Sequence, residues 1–297
     1  MSLPNDPKWP RAGHWIESAS ANADLELVGV LANKSSISPT SANQTPDAVR
    51  AALLRYSTYH LELDLDVRDL KVKDLGNIDE PDFEAGEQKV FDFLKSNRNP
   101  NALLVALGGD NSITHSVMES VFNNDLSNAG LITFDAHFDL RDGISNGSPV
   151  KRLIDAGLNP KKIVQIGIAD FANSREYADL AKSLGIKVIP RSQIQKSTIN
   201  SLIEKAVSIA GENIYVDIDV DVCDRAVAPA CPASVPGGIS ANQLRIISRT
   251  IASYSQVKAI DFTEVDSTKD TEDMRTTHLV ALCILEVAAG RLRLLNA

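Results

Sequence analysis

The sequence predicts an α/β fold built on a mostly parallel sheet of about eight strands, with helices over both of its faces. Three observations carry this expectation. Short runs that are apolar throughout, such as Ala102-Leu103-Leu104-Val105-Ala106-Leu107, are the pattern of strands buried on both sides. They alternate with helical segments of ten residues or more, the order expected of connected strand and helix units. No linker rich in Gly, Ser or Pro divides the 297 residues, so they read as one domain, 1–297, with residues 1–24 as a peripheral arm.

The arm is rich in Pro, Asn, Ser and Trp, has no steady period, and is expected to pack through Trp9 and Trp15. A first strand is expected over 25–31. Residues 32–44, rich in Ser, Asn and Thr, read as a long functional loop at its C-terminal end. Thr45 as N-cap and Pro46 at the first helical position start a helix that runs through Leu54. A strand at 70–72 and an acidic loop precede a helix at 83–95. The strand 102–107 is broken by Gly108-Gly109, and a helix follows over 112–122. The apolar run from Leu131 reads as a buried strand. It is followed by a helix at 149–156, a strand at 163–168, a helix at 174–184 stopped by Gly185, and a strand at 186–189. Helix 198–210, strand 214–218, helix 241–253, strand 257–262 and a helix from about 273 to 289 complete the chain.

Lys and Arg number 30 against 39 Asp and Glu, a net charge of −9, which leaves no basic excess for a nucleic-acid partner. Cys223, Cys231 and Cys283 lack the paired short spacings of a zinc cluster or a disulfide framework, and a reducing cytoplasm is expected. The N-terminus has no basic segment followed by an apolar one, and no apolar run is long enough to span a bilayer. Neither export nor a membrane partner is expected.

Ligands of open α/β sheets collect at the C-terminal ends of strands, and four polar clusters fall at such ends. They are Gly109-Asp110-Asn111-Ser112, Asp135-Ala136-His137-Phe138-Asp139, the stretch 217–224, and Thr263-Glu264-Val265-Asp266. On an extended segment alternate side chains share a face, so Asp135, His137 and Asp139 can converge while Ala136 and Phe138 turn away. Asp217, Asp219 and Asp221 repeat the device. Five or more carboxylates at the end of a buried sheet repel one another and bear a heavy desolvation cost unless a cation joins them or most are protonated. Nearby basic residues are few, Arg141 and Arg225, so a divalent metal is the economical answer. A mixed Asp and His set favours Mn²⁺ or a similar transition ion over Ca²⁺. A calcium loop beginning at Asp217 fails, because its sixth and twelfth positions are Val222 and Ala228 where Gly and Glu are required. There is no Gly-x-Ser-x-Gly elbow, Cys223 and Cys231 stand beside acids, and Gly108-Gly109 lacks the further Gly or Lys of a phosphate loop.

The ordered set Gly-Gly-Asp-Asn-Ser, Asp-Ala-His-Phe-Asp-Leu-Arg, Asp-Ile-Asp-Val-Asp with Ala228-Pro229-Ala230 and Pro236-Gly237-Gly238 after it, then Thr-Glu-Val-Asp, resembles the ureohydrolase superfamily of arginase, agmatinase and formimidoylglutamase. The match runs roughly from Leu25 to Ala289. The resemblance implies a three-layer α/β/α fold with two Mn²⁺ per chain at the strand ends. It places Asp135 and Asp219 as bridges between the ions, Asp139 with the first ion, and His137 with Asp221 on the second. Counting back from Ala228-Pro229-Ala230, which is similar to the family's Thr-Pro-Ala, selects Asp219 and Asp221 and leaves Asp217 and Asp224 outside the ligand set. The superfamily usually has His after Gly-Gly-Asp, whereas this chain has Asn111. It reads as a neutral oxygen ligand of the first ion, the alternative being an Asn that only caps the next helix.

Arginase-like chains carry a His in the loop after the Asp-Ala-His-x-Asp motif, and residues 143–150 contain none. That loop resembles the Ser-Gly-Thr-Pro-Phe loop of formimidoylglutamases, and Phe138-Asp139-Leu140-Arg141 is similar to the same branch. The resemblance therefore implies hydrolysis of N-formimidoyl-L-glutamate to L-glutamate and formamide, in histidine degradation. Water activated by the ions would attack the amidine carbon, Asp139 or Asp221 would pass its proton to the leaving amine, and Glu264 would hold the amidinium in line. Arg141 would meet a substrate carboxylate, the alternative being a surface ion pair with Asp142 or Asp139, with Asn146 and Ser148 of the same loop as further substrate contacts. A guanidino-compound hydrolase on the same centre and a metal-deficient binding protein are the alternatives. The resemblance also suggests a homo-oligomer, trimer or hexamer.

Overall fold

The structure is a computed structural model that describes residues 6–18, 20 and 22–297; residues 1–5, 19 and 21 of the N-terminal arm lie outside the described residues. In chain order the elements are α1 (Ala12–Ile16), β1 (Leu25–Val30), α2 (Thr45–Leu53), β2 (Tyr59–His60), β3 (Leu65–Asp66), β4 (Val72–Ile78), α3 (Phe83–Asn97), β5 (Leu103–Gly108), α4 (Ile113–Val121) and β6 (Ala129–Phe134). They continue with α5 (Pro149–Asp155), β7 (Ile163–Ile168), α6 (Arg175–Leu184), β8 (Lys187–Pro190), α7 (Arg191–Ile194), α8 (Ile199–Ala210), β9 (Asn213–Asp219), α9 (Ala241–Ala252), β10 (Val257–Thr263) and α10 (Arg275–Leu295).

Eight strands form one sheet in the order β4-β1-β5-β10-β9-β6-β7-β8, and every pairing in it is parallel. The apolar runs are apolar throughout because alternate residues feed two separate cores. Leu103, Val105 and Leu107 of β5 join the core under α2, α8, α9 and α10. Leu104 and Ala106 join the one under α3, α4, α5 and α6. Each fully buried aliphatic side chain of this kind stabilises the fold by roughly 1.5–3 kcal/mol relative to exposure.

Strand order also assembles the site. After β5 the chain skips two positions, builds β6, β7 and β8 outward, then returns to fill the gap with β9 and β10. The four strands that end in polar clusters, β5, β10, β9 and β6, thereby become the four central neighbours of the sheet.

Several local expectations differ from the structure. The strand expected at 70–72 begins at Val72 and runs through the acidic stretch to Ile78 as the sheet's edge. Its polar residues suit an edge, and Asp74 there receives Arg50 through two bonds, Nε at 2.7 Å and Nη2 at 2.9 Å. Thr45 does not cap α2, since its hydroxyl donates to the Val265 carbonyl instead and ties this helix to the end of β10. Trp15 is buried, with Nε1 donating to Leu70 O at 3.2 Å, whereas Trp9 is 49% exposed and does not anchor the arm. The short helices α1 and α7 and the β2–β3 hairpin had no periodic signal in the sequence.

Candidate metal centre

β6 ends at Phe134, so Asp135, His137 and Asp139 stand on the loop beyond it rather than on extended strand. They still converge, by a bend that ends with Asp139 at φ +53°. Glu264, directly after β10, is also left-handed at φ +64°. For residues other than glycine such backbone is uncommon and collects at functional sites. Between the two lies Asn111. Its backbone N–H donates to Glu264 Oε1 at 2.7 Å, and its amide Nδ2 lies 2.5 Å from Asp139 Oδ2.

Ligand atoms of Asp135, His137 and Asp221 all lie within 4.8 Å of one another. His137 Nδ1 is 2.7 Å from Asp221 Oδ2 and 3.5 Å from Asp135 Oδ1. The turn after β9 is closed by Asp219, whose Oδ1 accepts the Asp221 N–H at 2.7 Å, so one bond presents both aspartates. Asp139, Asp219, Asp221 and Glu264, together with His137, form the floor of a cavity of about 290 Å³ that opens past Arg141, Asn146 and Tyr177.

The electrostatics of this floor call for a cation. Burial, then the Asp221 charge, pushes Asp135 up to about 6. Burial likewise holds Asp139 and Asp219 well above the usual carboxyl range, with Asp135 adding to the first and Asp221 to the second. Burial alone would lower His137, yet its hydrogen bonds to Asp135 and Asp221 and their charges carry it up to about 11. Burial would also raise Asp221, but the hydrogen bond and charge of His137 hold it down. The imidazole proton thus stands where a metal's charge is wanted. Asp135 Oδ2 is buried with no hydrogen-bond partner, an arrangement that costs about 1–3 kcal/mol without a donor or a cation. An Asp-rich set with one imidazole fits Mn²⁺ or a similar ion.

The remaining expected residues fall into place unevenly. Asp217 sits one pleat below the floor, opposite Asp261 of β10, and burial followed by the Asp261 charge keeps it well above the ordinary range. Asp224 closes the following loop, accepting from Ala226 and Gly237 N–H at 2.8 and 2.7 Å. Arg141 lines the cavity and, among the described residues, its guanidinium has no ionic partner. Asn146 is spanned between two partners, accepting Ile37 N–H at 3.0 Å and donating to Glu264 Oε1 at 2.9 Å. Ser148 is fully buried, closes a turn with Ser145, and is not a wall of the cavity. Asn111 does not cap α4, whose N-terminus is Ser112 without a side-chain cap.

Some working residues had little sequence signal. Loop 33–41 is pinned at one end by Asp82, which accepts the N–H groups of Asn33, Lys34 and Ser35, and at the other by Asp266, which accepts Ser41 N–H. Arg191, 9% exposed, donates to the carbonyls of Gly167 and Asp221 at 3.3 Å. The loop after β7 and the first turn of α6, which supply Asn173, Ser174 and Tyr177 to the cavity wall, were reachable from the strand-end rule but carry no clustered acid and histidine motif.

Comparison with known proteins agrees with this geometry. A family model described as the arginase family matches residues 23–290. A formimidoylglutamase of Halalkalibacterium halodurans is 36% identical over 89% of this chain and 86% of its own length. The crystal structure of formimidoylglutamase from Bacillus subtilis superposes with a TM-score of 0.90 at 30% identity, covering 97% of this chain and 94% of that one. A Trypanosoma cruzi formiminoglutamase structure with Mn²⁺ shares the fold, with a TM-score of 0.85 at 22% identity over 95% and 98% of the two chains. Eight parallel strands, a carboxylate-rich floor at their C-terminal ends and a family match over most of the sequence lead to one assignment: this chain belongs to the arginase family.

Proposed function

We propose that the protein is a formimidoylglutamase-like hydrolase that cleaves the C–N bond of N-formimidoyl-L-glutamate to give L-glutamate and formamide. The observation that carries this reading is one cavity with a cation-seeking floor and an unpaired guanidinium, Arg141, at its wall. Asp135, His137, Asp139, Asp219 and Asp221 would hold two Mn²⁺, which when bound supply the charge that makes a water nucleophilic near neutral pH. Glu264 is pushed up to about 8 by burial and then by the Asp110 charge, so a cationic amidinium beside it is what favours its ionised form. Its Oε1 is already taken by Asn111 N–H and Asn146, which leaves Oε2 to orient the substrate. Asp139 and Asp221 border the same space and are placed to move a proton toward the leaving amine. Arg141 would take a substrate carboxylate, and Asn146 would act on the substrate through Glu264 and Ile37.

Asn111 would serve as the neutral ligand of the first ion with its amide turned over. Thr114 Oγ1 lies 2.8 Å from Asp261 Oδ2 and 3.1 Å from Asn111 Oδ1. One hydroxyl proton serves one acceptor, and an ionised carboxylate is the stronger. As placed, Asn111 Oδ1 accepts from Thr263 Oγ1 at 2.8 Å and its Nδ2 faces Asp139 Oδ2. To offer its carbonyl oxygen to an ion the amide would turn over, with Thr114 and Thr263 accepting from its NH₂ instead. A cytoplasmic homo-oligomer, trimer or hexamer, belongs to the same reading by family likeness; sedimentation velocity tests the assembly.

A panel of amidines and guanidines tests the substrate. Formamide and glutamate from N-formimidoyl-L-glutamate are expected, and urea from arginine, agmatine or a guanidino acid would place the chain in another branch.

A further inference from the structure

We infer that Asn173 is a positioning residue for His137, its carboxamide clamping the peptide groups on both sides of it. The inference rests on the metal centre proposed above. Regular pairing between β6 and β7 stops at Phe134 opposite Ile166; beyond it Asp135 N–H donates to Ile166 O and Ala169 N–H donates to Ala136 O, both at 3.0 Å, and there the ladder ends. Ala136 and Phe138 are buried, at 0% and 5% exposure, and buried peptide groups need partners.

The remaining partners are side chains. Ala136 N–H goes to Asp221 Oδ1 at 2.9 Å and His137 N–H to Asp135 Oδ1 at 2.6 Å. Phe138 O accepts from Gln165 Nε2 at 2.9 Å. The two peptide groups that flank His137 converge on one side chain: Phe138 N–H donates to Asn173 Oδ1 at 3.1 Å, and Asn173 Nδ2 donates to Ala136 O at 2.9 Å. A planar carboxamide offers a donor and an acceptor side by side, as a strand's peptide edge does. Aspartate lacks the donor and serine lacks the span. Asn173 therefore fixes the backbone on both sides of the imidazole that approaches Asp221 to 2.7 Å. Asp135 follows β6 directly and Asp219 and Asp221 sit on the turn after β9, so the effect concentrates on the ion that His137 would hold.

The test is Mn²⁺ binding to metal-stripped Asn173→Ala, followed by electron paramagnetic resonance of the free ion, beside the melting temperature of the metal-free protein. Loss of a group that orients a metal ligand typically weakens affinity by about 10–100-fold. One ion is expected to loosen by about tenfold or more while the other keeps its parental affinity, with the metal-free melting temperature within about 4 °C of the parent. Parental affinity for both ions overturns the assignment, as does an equal loss at both with a larger fall in melting temperature. If Asn173→Ala does not fold, Asn173→Ser is judged by the same criteria. A parent that binds two ions yet hydrolyses no amidine defeats the proposed activity alone, whereas a parent that binds none defeats both.

Discussion

Glu264 is held by one carboxylate oxygen and left free at the other, in a place where burial favours its neutral form. Its negative charge is therefore realised only against a cation. Glu264→Gln keeps the shape and the acceptor but removes that charge, and is expected to lower kcat/KM for the amidine by about 10²-fold or more, with a melting temperature equal to or above the parent's. Steady-state kinetics and calorimetry check the pair of outcomes. Arg141→Ala should act otherwise, raising KM for a substrate that bears carboxylates with kcat less affected. At this scale the chemistry was legible wherever residue type and strand end coincide, as at Asp135, His137 and Glu264. It was hidden where tertiary placement decides: Ser148 shares a loop with Arg141, yet its hydroxyl is spent inside a turn.

Gly109 shows what the connection after a strand must do. A Cβ at this position would lie 1.7 Å from the Ala32 carbonyl oxygen, because the connection after β5 runs hard against the one after β1, its neighbour in the sheet. The same residue's carbonyl accepts Glu264 N–H at 3.0 Å. Gly109→Ala is expected to destabilise the protein by about 1–3 kcal/mol, read by urea unfolding, and to weaken activity further by shifting Glu264. Elements with strong periodicity or clear stops were readable in advance. The helix over Arg175–Leu184 ends at Gly185 with φ +80°, as its glycine promised. The edge strand β4 and the two-residue strands of the hairpin were not readable, since exposed edges and very short pairings leave no apolar alternation.

For the whole molecule, the cost of gathering acids at the sheet's centre appears as a pH dependence. Asp135 and Asp110 are raised to about 6, Glu264 to about 8 and His137 to about 11. Each binds its proton more tightly folded than unfolded, so its stabilising contribution is complete below the unfolded pKa and is lost as pH rises through the folded one. Metal-free protein should therefore melt at a lower temperature at pH 9 than at pH 6. Saturating Mn²⁺ should shrink or reverse that slope, because the ion takes the place of the protons. The sheet order that brings β5, β10, β9 and β6 together was not readable from the separate motifs; their physical need for a shared cation was.

The most direct measurement titrates metal-stripped protein with Mn²⁺ while following bound metal and formamide release from N-formimidoyl-L-glutamate in the same samples. The account predicts two ions per chain, with hydrolysis rising as the centre fills and glutamate formed in equal amount to formamide. Binding of two ions without hydrolysis, or hydrolysis at full rate with no divalent metal bound, would contradict it.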